Sequence, residues 1–181
     1  MSNMGQPQIK TPNVDIMAQE GIKFSQALAG SAVCAPTRCA LMTGLHMGNC
    51  AFIANEPDET IRDEDETIAE VLKREGYVTG GLEKWGMGDI GSPGVPENQG
   101  FDTFYGYYNQ ANAHSYFPPF LIRNGVKETL PGNTGAKYTG VIHAQDTIFS
   151  ETKKFLTANK DKPFFLYLPY TPPHGHWGIL D

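Results

Sequence analysis

The most distinctive chemistry in this sequence lies in one short stretch. Cys34–Arg38 reads Cys-Ala-Pro-Thr-Arg, and Leu41–Gly44 follows with Leu-Met-Thr-Gly. A cysteine is a nucleophile or a site of oxidation, and a neighbouring arginine binds anions through several N–H donors. Cys, Pro, a hydroxyl residue and Arg at these offsets arise by chance in roughly one chain of this length in a thousand. Residue types alone also allow a buried structural cysteine beside a surface arginine, but the full motif favours an active site.

Three further stretches carry cationic or acid–base side chains. Lys84 supplies an ammonium of the kind that stabilises negative charge developing on a transferred group. His174 ends the run Thr171–His174, and imidazole titrates near neutral pH, as a general acid requires. His176 is its close competitor. His114 lies in an aromatic loop, where an isolated histidine has even chances of being an active-site or a plain surface residue.

The segments that position these side chains alternate between helix and strand. Helices are predicted to begin near Pro12, just after Cys34, at Thr67 and near Asp146, and strands are predicted at Ile22–Leu28, Tyr77–Leu82 and Pro163–Leu168. This alternation predicts an α/β fold with a mostly parallel sheet flanked by helices. Ligands of such sheets bind beyond the carboxyl ends of the strands. Cys34, Lys84 and His174 each follow a predicted strand, so we expect them to converge on one pocket.

Two segments are predicted to be irregular. The acidic stretch Asn55–Glu66 has the composition of solvated surface. Gly86–Gly140 is rich in Gly, Pro, Asn and Tyr, and so long a loop favours a binding surface. Its aromatic side chains indicate either a platform for a sugar or aryl group or ordinary packing on the domain; they are Tyr105, Tyr107, Tyr108, Tyr116 and Phe117.

Composition excludes several classes of protein. Apolar residues make up 40% of the 181 and charged residues 19%, which argues against intrinsic disorder. The net charge of −6 and the lack of a basic cluster make nucleic acid an improbable partner. No apolar run reaches the length of a membrane span, and no signal peptide is visible, so localisation stays open. The three cysteines do not form a disulfide framework, and a zinc site built on Cys34, Cys39, His46 and Cys50 lacks the usual ligand spacing.

The chain resembles the type I sulfatases of the alkaline-phosphatase-like superfamily. Their signature is Cys-x-Pro-Ser/Thr-Arg followed by Leu-x-Thr-Gly, as Cys34–Gly44 shows. Gly100–Asp102 and the Tyr-rich segment after it are also similar to arylsulfatases, and the likeness extends from Gln6 to His174. The resemblance implies a sulfuric ester hydrolase that cleaves sulfate monoesters of small molecules or carbohydrates, in a family that is usually periplasmic, secreted or lysosomal.

The resemblance also assigns roles to the residues. Cys34 is the residue that a maturation enzyme converts to formylglycine, whose hydrate is the nucleophile and one ligand of a calcium ion. Arg38 is expected to hydrogen-bond that hydrate, and Lys84 to contact both it and the sulfate. His174, with His176 beside it, is expected to bind sulfate or protonate the leaving group. Gly86 stands where many members have a catalytic histidine, and His114 is the expected substitute.

Two departures from the family pattern stand out. Glu83 replaces a customary glycine and is expected to crowd the backbone or face an anionic substrate. The other calcium ligands of the family, two adjacent aspartates and a later Asp-Asn pair, have no counterpart in this sequence, so residues 1–181 are expected to be a partial catalytic domain, incomplete at both ends. By themselves they are expected to bind calcium weakly and hydrolyse sulfate esters negligibly. The alternative is a non-catalytic remnant that binds an anion or sugar or pairs with another chain.

Overall fold

The computed structural model describes residues 1–56 and 59–175 of the chain. Within these residues the helices are α1 (Pro12–Glu20), α2 (Cys34–Thr43), α3 (Ile68–Arg74) and α4 (Ala144–Asn159), and the strands are β1 (Val78–Lys84), β2 (Thr103–Tyr107), β3 (Phe120–Arg123), β4 (Val126–Thr129) and β5 (Phe164–Tyr167). Among the helices of these described residues, none has both the length and the apolar character needed to cross a membrane.

The strands form one sheet in the order β4-β3-β2-β1-β5. The interior strand β1 pairs in parallel with both of its neighbours, β2 and β5, whereas β3 pairs antiparallel with both β2 and β4. The α/β prediction is therefore confirmed, with a sheet that is mixed rather than parallel throughout. Strands β3 and β4 form an antiparallel hairpin because Asn124-Gly125 joins them. Both residues have positive φ, as a two-residue hairpin turn requires.

Two apolar cores cover the two faces of the sheet. Alternation along β2 sends Phe104 into one core and Tyr105 into the other. The first core also receives Cys39 and Met42 from α2 together with Trp85. The second packs α4 against β1, so that both faces of the strand bearing Lys84 are buried. This burial fixes where that strand ends.

Local sequence signals predicted several element boundaries correctly. α1 begins at Pro12, and α2 begins at Cys34 itself. The capping box at α3 is complete, because the Glu70 N–H donates to Thr67 Oγ1 (3.2 Å) and the Thr67 N–H donates to Glu70 Oε2 (2.7 Å). α4 begins two residues before Asp146, and His143 caps it by accepting a hydrogen bond from the Gln145 N–H.

The predicted strand Ile22–Leu28 is absent, and so the prediction was wrong. This segment is irregular, and its large side chains are exposed, Leu28 at 98% and Ile22 at 81%. Its β-branched and aromatic residues favour an extended backbone. A strand also requires a neighbour to accept its hydrogen bonds, and the described residues place none beside it.

Three other predictions need correction. Gly86–Gly140 is not one loop, since it contains β2, β3 and β4. Asn55–Glu66 is not simply solvated surface, because Ile61 is fully buried and its N–H donates to the Met87 carbonyl. Pro163–Leu168 was expected to be buried on both faces, yet β5 is only half-buried. The reason is that β5 forms the edge of the described sheet, with a neighbour on one side only.

Candidate active site

Cys34 and Lys84 meet at the carboxyl end of the sheet. Cys34 is the first residue of α2 and is half-buried, while Lys84 is the last residue of β1 and is 1% exposed. The Lys84 charge is near enough to Cys34 that each group shifts the pKa of the other. A strand end and a helix N-terminus thus bring together two side chains that are 50 positions apart in the sequence.

The two side chains shift each other's ionisation. Burial by itself raises the pKa of the Cys34 thiol, but the Lys84 charge, the Asn55 amide and Arg38 outweigh it, so the net pKa lies below its usual value. Burial lowers the pKa of Lys84, and the nearby Arg38 charge lowers it further, against the attraction of Cys34 and Glu83. The interaction between the two groups therefore favours an anion at position 34 next to a cation at position 84, while burial keeps the net pKa of Lys84 below its usual value.

This pairing predicts unusual reactivity of the unconverted thiol. In protein whose Cys34 has not been matured, the pH midpoint of iodoacetamide alkylation at Cys34 is expected below that of a free cysteine, because the thiolate forms at lower pH. Lys84→Met is expected to move the midpoint upward, and Lys153→Met, an exposed lysine on α4, is the matched control. The measurement is the alkylated fraction of the Cys34 peptide at each pH, determined by mass spectrometry. Identical pH midpoints in wild type and Lys84→Met would show that the Lys84 charge does not act on Cys34.

Arg38 binds backbone rather than an anion in this structure. Its Nη1 donates to the Lys84 carbonyl (2.6 Å) and to the Tyr167 hydroxyl (3.4 Å), which ties α2 to the ends of β1 and β5. Its Nε is buried and has no hydrogen-bond partner among the described residues. A buried unpaired donor is costly, so this N–H is a candidate donor to a ligand.

Asn55 belongs to the site, although sequence reasoning missed it. Its Oδ1 accepts the Ala35 N–H (3.0 Å), and its Nδ2 donates to the Cys34 sulfur (3.6 Å). It thereby satisfies a free N–H in the first turn of α2 and restrains the Cys34 side chain. No local signal marks an asparagine in a polar loop for this role, since its partners are 20 residues away.

A cavity of about 460 Å³ lies beside the N-terminus of α2, but Cys34, Lys84 and His174, which were expected to converge on one pocket, are not among its lining residues. Its lining residues come from the α2 N-terminus, the 52–59 segment, the chain after β1 and the chain after β2, and include Ala35, Asn55, Gly86, Tyr108, Gln110 and His114. His114 therefore shares a cavity with the neighbours of Cys34. The acidic residues Glu56, Glu59 and Asp89 line the same space.

Gln110, not His114, fills the space above Gly86. A Cβ at Gly86 would lie 2.4 Å from Gln110 Nε2, and this Nε2 donates to the Gly86 carbonyl (3.2 Å). Gly86 also has a φ of +77°, which side chains rarely adopt. A histidine at position 86, as in many members of the resembled family, would require Gln110 to move. His114 remains on the same cavity wall as a candidate substitute.

His114 and His174 lie against each other. Their rings stack with centroids 4.9 Å apart and planes 18° apart. The Tyr116 hydroxyl donates to the His174 carbonyl (2.9 Å), which anchors the segment after β5 to the segment after β2. His114 lines the cavity, whereas His174 contacts His114 without lining the cavity itself. His176, the predicted competitor, lies outside the described residues.

Glu83 turns its carboxylate away from the cavity. Its Oε1 accepts from the Thr171 N–H (2.9 Å) and from Gln145 Nε2 (2.6 Å), and its Oε2 accepts from the Thr171 hydroxyl (2.7 Å). Burial raises its pKa, although these hydrogen bonds oppose the shift. The expectation that it would face an anionic substrate is wrong, because the chain leaving β5 supplies its partners.

The aromatic residues and the other cysteines serve packing. Of the two alternatives for the aromatic set, packing holds, because all five residues are at most 5% exposed and only Tyr108 reaches the cavity. Cys39 is fully buried on α2, and its burial raises the pKa of the thiol to about 11. Cys50 is also buried and donates to the Leu45 carbonyl.

The described residues do not make a calcium cage by themselves. Calcium takes six to eight oxygen ligands, mostly from carboxylates. Nowhere in residues 1–56 and 59–175 do three or more His, Cys, Asp or Glu side chains come together in a metal-binding group. The positive charge of Lys84 also acts on Cys34. The donor set of the described residues therefore does not fit the ion.

Residues 1–179 match the family model described as Sulfatase. Among characterised relatives, an N-acetylglucosamine-6-O-sulfatase of Bacteroides thetaiotaomicron is 29% identical over 98% of this chain, and human arylsulfatase A is 30% identical over 96%. The chain spans 28% of the first relative's length and 38% of the second's.

Solved structures show the same similarity. The crystal structure of Ps i-CgsB superposes with a TM-score of 0.78 at 30% identity, covering 96% of this chain and 42% of that one. BT4656, determined in complex with its substrate D-glucosamine-2-N,6-O-disulfate, superposes with a TM-score of 0.74 at 28% identity, covering 98% and 32%. Ps i-CgsB has also been determined in complex with a neocarrahexaose.

Proposed function

The chain belongs to the sulfatase family, and from that premise we propose that it forms part of a sulfuric ester hydrolase whose reacting residue is Cys34, converted to formylglycine by a maturation enzyme. The observation that carries this proposal is the position of Cys34 at the start of α2 and of the buried Lys84 at the end of β1, where the Lys84 charge acts to lower the pKa of the Cys34 thiol. The hydrated formylglycine supplies an oxygen nucleophile for sulfur. The family's calcium would require oxygen ligands that the described residues do not supply.

Cys34 is suitably placed for this conversion. Its side chain is half-buried rather than enclosed. The motif around it opens α2, so its neighbours Ala35 and Pro36 are already fixed by packing. The Asn55 amide and the Lys84 ammonium beside the Cys34 sulfur are both donors, and donors suit an oxygen-bearing side chain at this position.

Lys84 and Arg38 are proposed to hold the sulfate. The Lys84 ammonium is desolvated, and in a water-poor site a fixed cation stabilises developing charge more strongly than in water. The Nε of Arg38, which has no hydrogen-bond partner among the described residues, offers a second donor. Together they counter the negative charge that accumulates on the sulfuryl oxygens.

His114 and His174 are proposed to serve the leaving group. An alkoxide leaving from a sugar needs a proton, and a histidine near the cavity wall suits that transfer. His114 lines the cavity and His174 stacks on it, so the two rings form one acid–base unit. His176 stays a candidate substrate ligand beside them.

A sulfated carbohydrate is the proposed substrate class. The cavity of about 460 Å³ is within the range of small-ligand sites, and its wall mixes amide and carboxylate side chains with Tyr108 and Phe52. Amide and carboxylate groups bind sugar hydroxyls. The structures solved with a disulfated glucosamine and with a neocarrahexaose support the same class.

His114→Ala is expected to lower turnover of a sulfated sugar by about 10²-fold, as loss of a positioned acid–base group does. The measurement is sulfate release by the matured protein at its natural length. His46→Ala, which changes an exposed-loop histidine whose Nδ1 accepts the Gly48 N–H, is the matched control and should leave the rate unchanged. An unchanged rate in His114→Ala would make His114 a surface residue.

A further inference from the structure

Glu83 is a buried carboxylate that the proposed chemistry does not use. Its side chain is completely buried, and it does not line the cavity. It lies between Leu82 of the sheet core and Lys84 of the site, so its backbone is part of the strand end that presents Lys84. All three of its hydrogen bonds reach forward to Thr171 and Gln145, more than 60 positions along the chain.

The backbone at Glu83 is strained to allow this arrangement. Its φ is +100°, a region that favours glycine. The neighbouring strand accommodates the bend only because residue 106 is glycine, since a Cβ there would lie 2.0 Å from the Glu83 carbonyl oxygen. A strained, buried, charged residue persists only where its surroundings fix it, and such strain concentrates at functional sites.

The contacts of Glu83 hold the segment that carries His174. Both the N–H and the hydroxyl of Thr171 donate to Glu83, and the Thr171 carbonyl accepts the His174 N–H (2.8 Å). His174 is itself exposed. Its position therefore depends on backbone anchors, of which the Glu83–Thr171 pair is one and the Tyr116 hydroxyl another.

Gln145 adds a third element to the same carboxylate. It lies in the first turn of α4, where free N–H groups and the helix dipole favour negative charge. Glu83 thus joins β1, the N-terminus of α4 and the chain leaving β5 at one buried point. A glycine at position 83 would relieve the strain but leave this junction without its acceptor.

We propose that Glu83 is a positioning residue that sets the place of His174 relative to the Cys34–Lys84 pair by clamping Thr171. This inference rests on the proposed function, in which His174 helps to protonate the leaving group. The clamp acts through hydrogen bonds and not through the net charge of Glu83. Glutamine can keep them, because its Oε1 accepts the same two N–H donors and its Nε2 donates to the Thr171 hydroxyl.

The test compares two substrates in the matured protein at its natural length. A sugar 6-sulfate has a poor leaving group that needs protonation, whereas a nitrophenyl sulfate has a good one that does not. Glu83→Ala and Thr171→Val are expected to lower kcat by about 10- to 100-fold for the sugar sulfate and by much less for the nitrophenyl sulfate. Glu83→Gln is expected to retain most of the turnover on both substrates.

Two further variants serve as controls for the substrate comparison. Thr152→Val removes another buried hydroxyl, one that donates to the Ile148 carbonyl on α4, and is the matched control for Thr171→Val; it should leave the ratio of the two rates unchanged. In a His174→Ala background, Glu83→Ala is expected to cost little more on the sugar sulfate, because both changes act on the same step. Thr171→Val keeps the test usable if Glu83→Ala does not fold.

The outcomes separate the inference from the proposed function. If His174→Ala lowers kcat equally for both substrates, His174 does not protonate the leaving group. That result overturns the proposed role of His174 and also the inference about Glu83. In a second outcome, His174→Ala loses kcat mainly on the sugar sulfate, while Glu83→Ala and Thr171→Val lose it equally on both substrates. That outcome overturns the inference about Glu83 and leaves the proposed function intact. A Glu83→Gln variant as impaired as Glu83→Ala shows that charge matters and also overturns it.

Discussion

Cys34→Ala is expected to lower sulfate ester hydrolysis by at least about 10⁴-fold, the largest effect of any single substitution in this chain. The reason is that loss of a covalent nucleophile removes the reaction path and not merely one stabilising contact. The measurement is sulfate release from an aryl sulfate by the matured protein at its natural length. The fold should persist, because Cys34 is half-buried and alanine suits the first turn of a helix.

Cys50→Ala is the matched control for that experiment. Cys50 is also a thiol, but it is buried in the core and its Sγ donates to the Leu45 carbonyl. This change is expected to reduce stability without removing turnover. Substantial hydrolysis by Cys34→Ala would contradict the assignment of the reacting residue.

Lys84→Met is expected to lower turnover by about 10²- to 10³-fold. Methionine keeps most of the side-chain volume at this fully buried position, so the change removes the charge with little disturbance of packing. The lost stabilisation of developing negative charge is comparable to that of one oxyanion-hole donor. Steady-state kinetics of the matured protein give the measurement, and the loss is expected in kcat more than in KM.

Lys153→Met serves as the control for the charge change. Lys153 lies on α4 with its ammonium 4.7 Å from the Phe149 ring centroid, away from the candidate site. Equal activity of Lys84→Met and Lys153→Met would show that Lys84 has a purely structural role. A loss confined to KM would assign Lys84 to ground-state binding alone.

Local signals in the sequence predicted much of the fold. The Thr67–Glu70 capping box and the proline after Thr11 identify helix starts because both depend on neighbouring residues only. The Asn124-Gly125 pair is an equally local signal for a hairpin, but the composition of the surrounding 86–140 segment obscured it. The Ile22–Leu28 prediction failed for the opposite reason, since strand formation depends on a partner that residue types do not reveal.

The candidate site could be predicted from the sequence at the positions where a motif residue stands at the end of a strand or the start of a helix. Cys34 and Lys84 each stand at the end or start of an element, and the parallel pairing of β1 brings such ends to one edge. Asn55, Gln110 and the true partners of Glu83 were not predictable. Each acts through contacts with residues 20 to 88 positions away, and nothing in the adjacent sequence specifies such a contact.

Cys34 is proposed to be the residue that is matured for sulfate ester hydrolysis. The most direct test is the mass of the peptide containing Cys34 after co-expression of the protein with a formylglycine-generating enzyme. Replacing the thiol by an aldehyde predicts a loss of about 18 Da at Cys34, with Cys39 and Cys50 unchanged. An unmodified Cys34 thiol under conditions that convert a known sulfatase would contradict the account and favour a non-catalytic protein that binds an anion or a sugar.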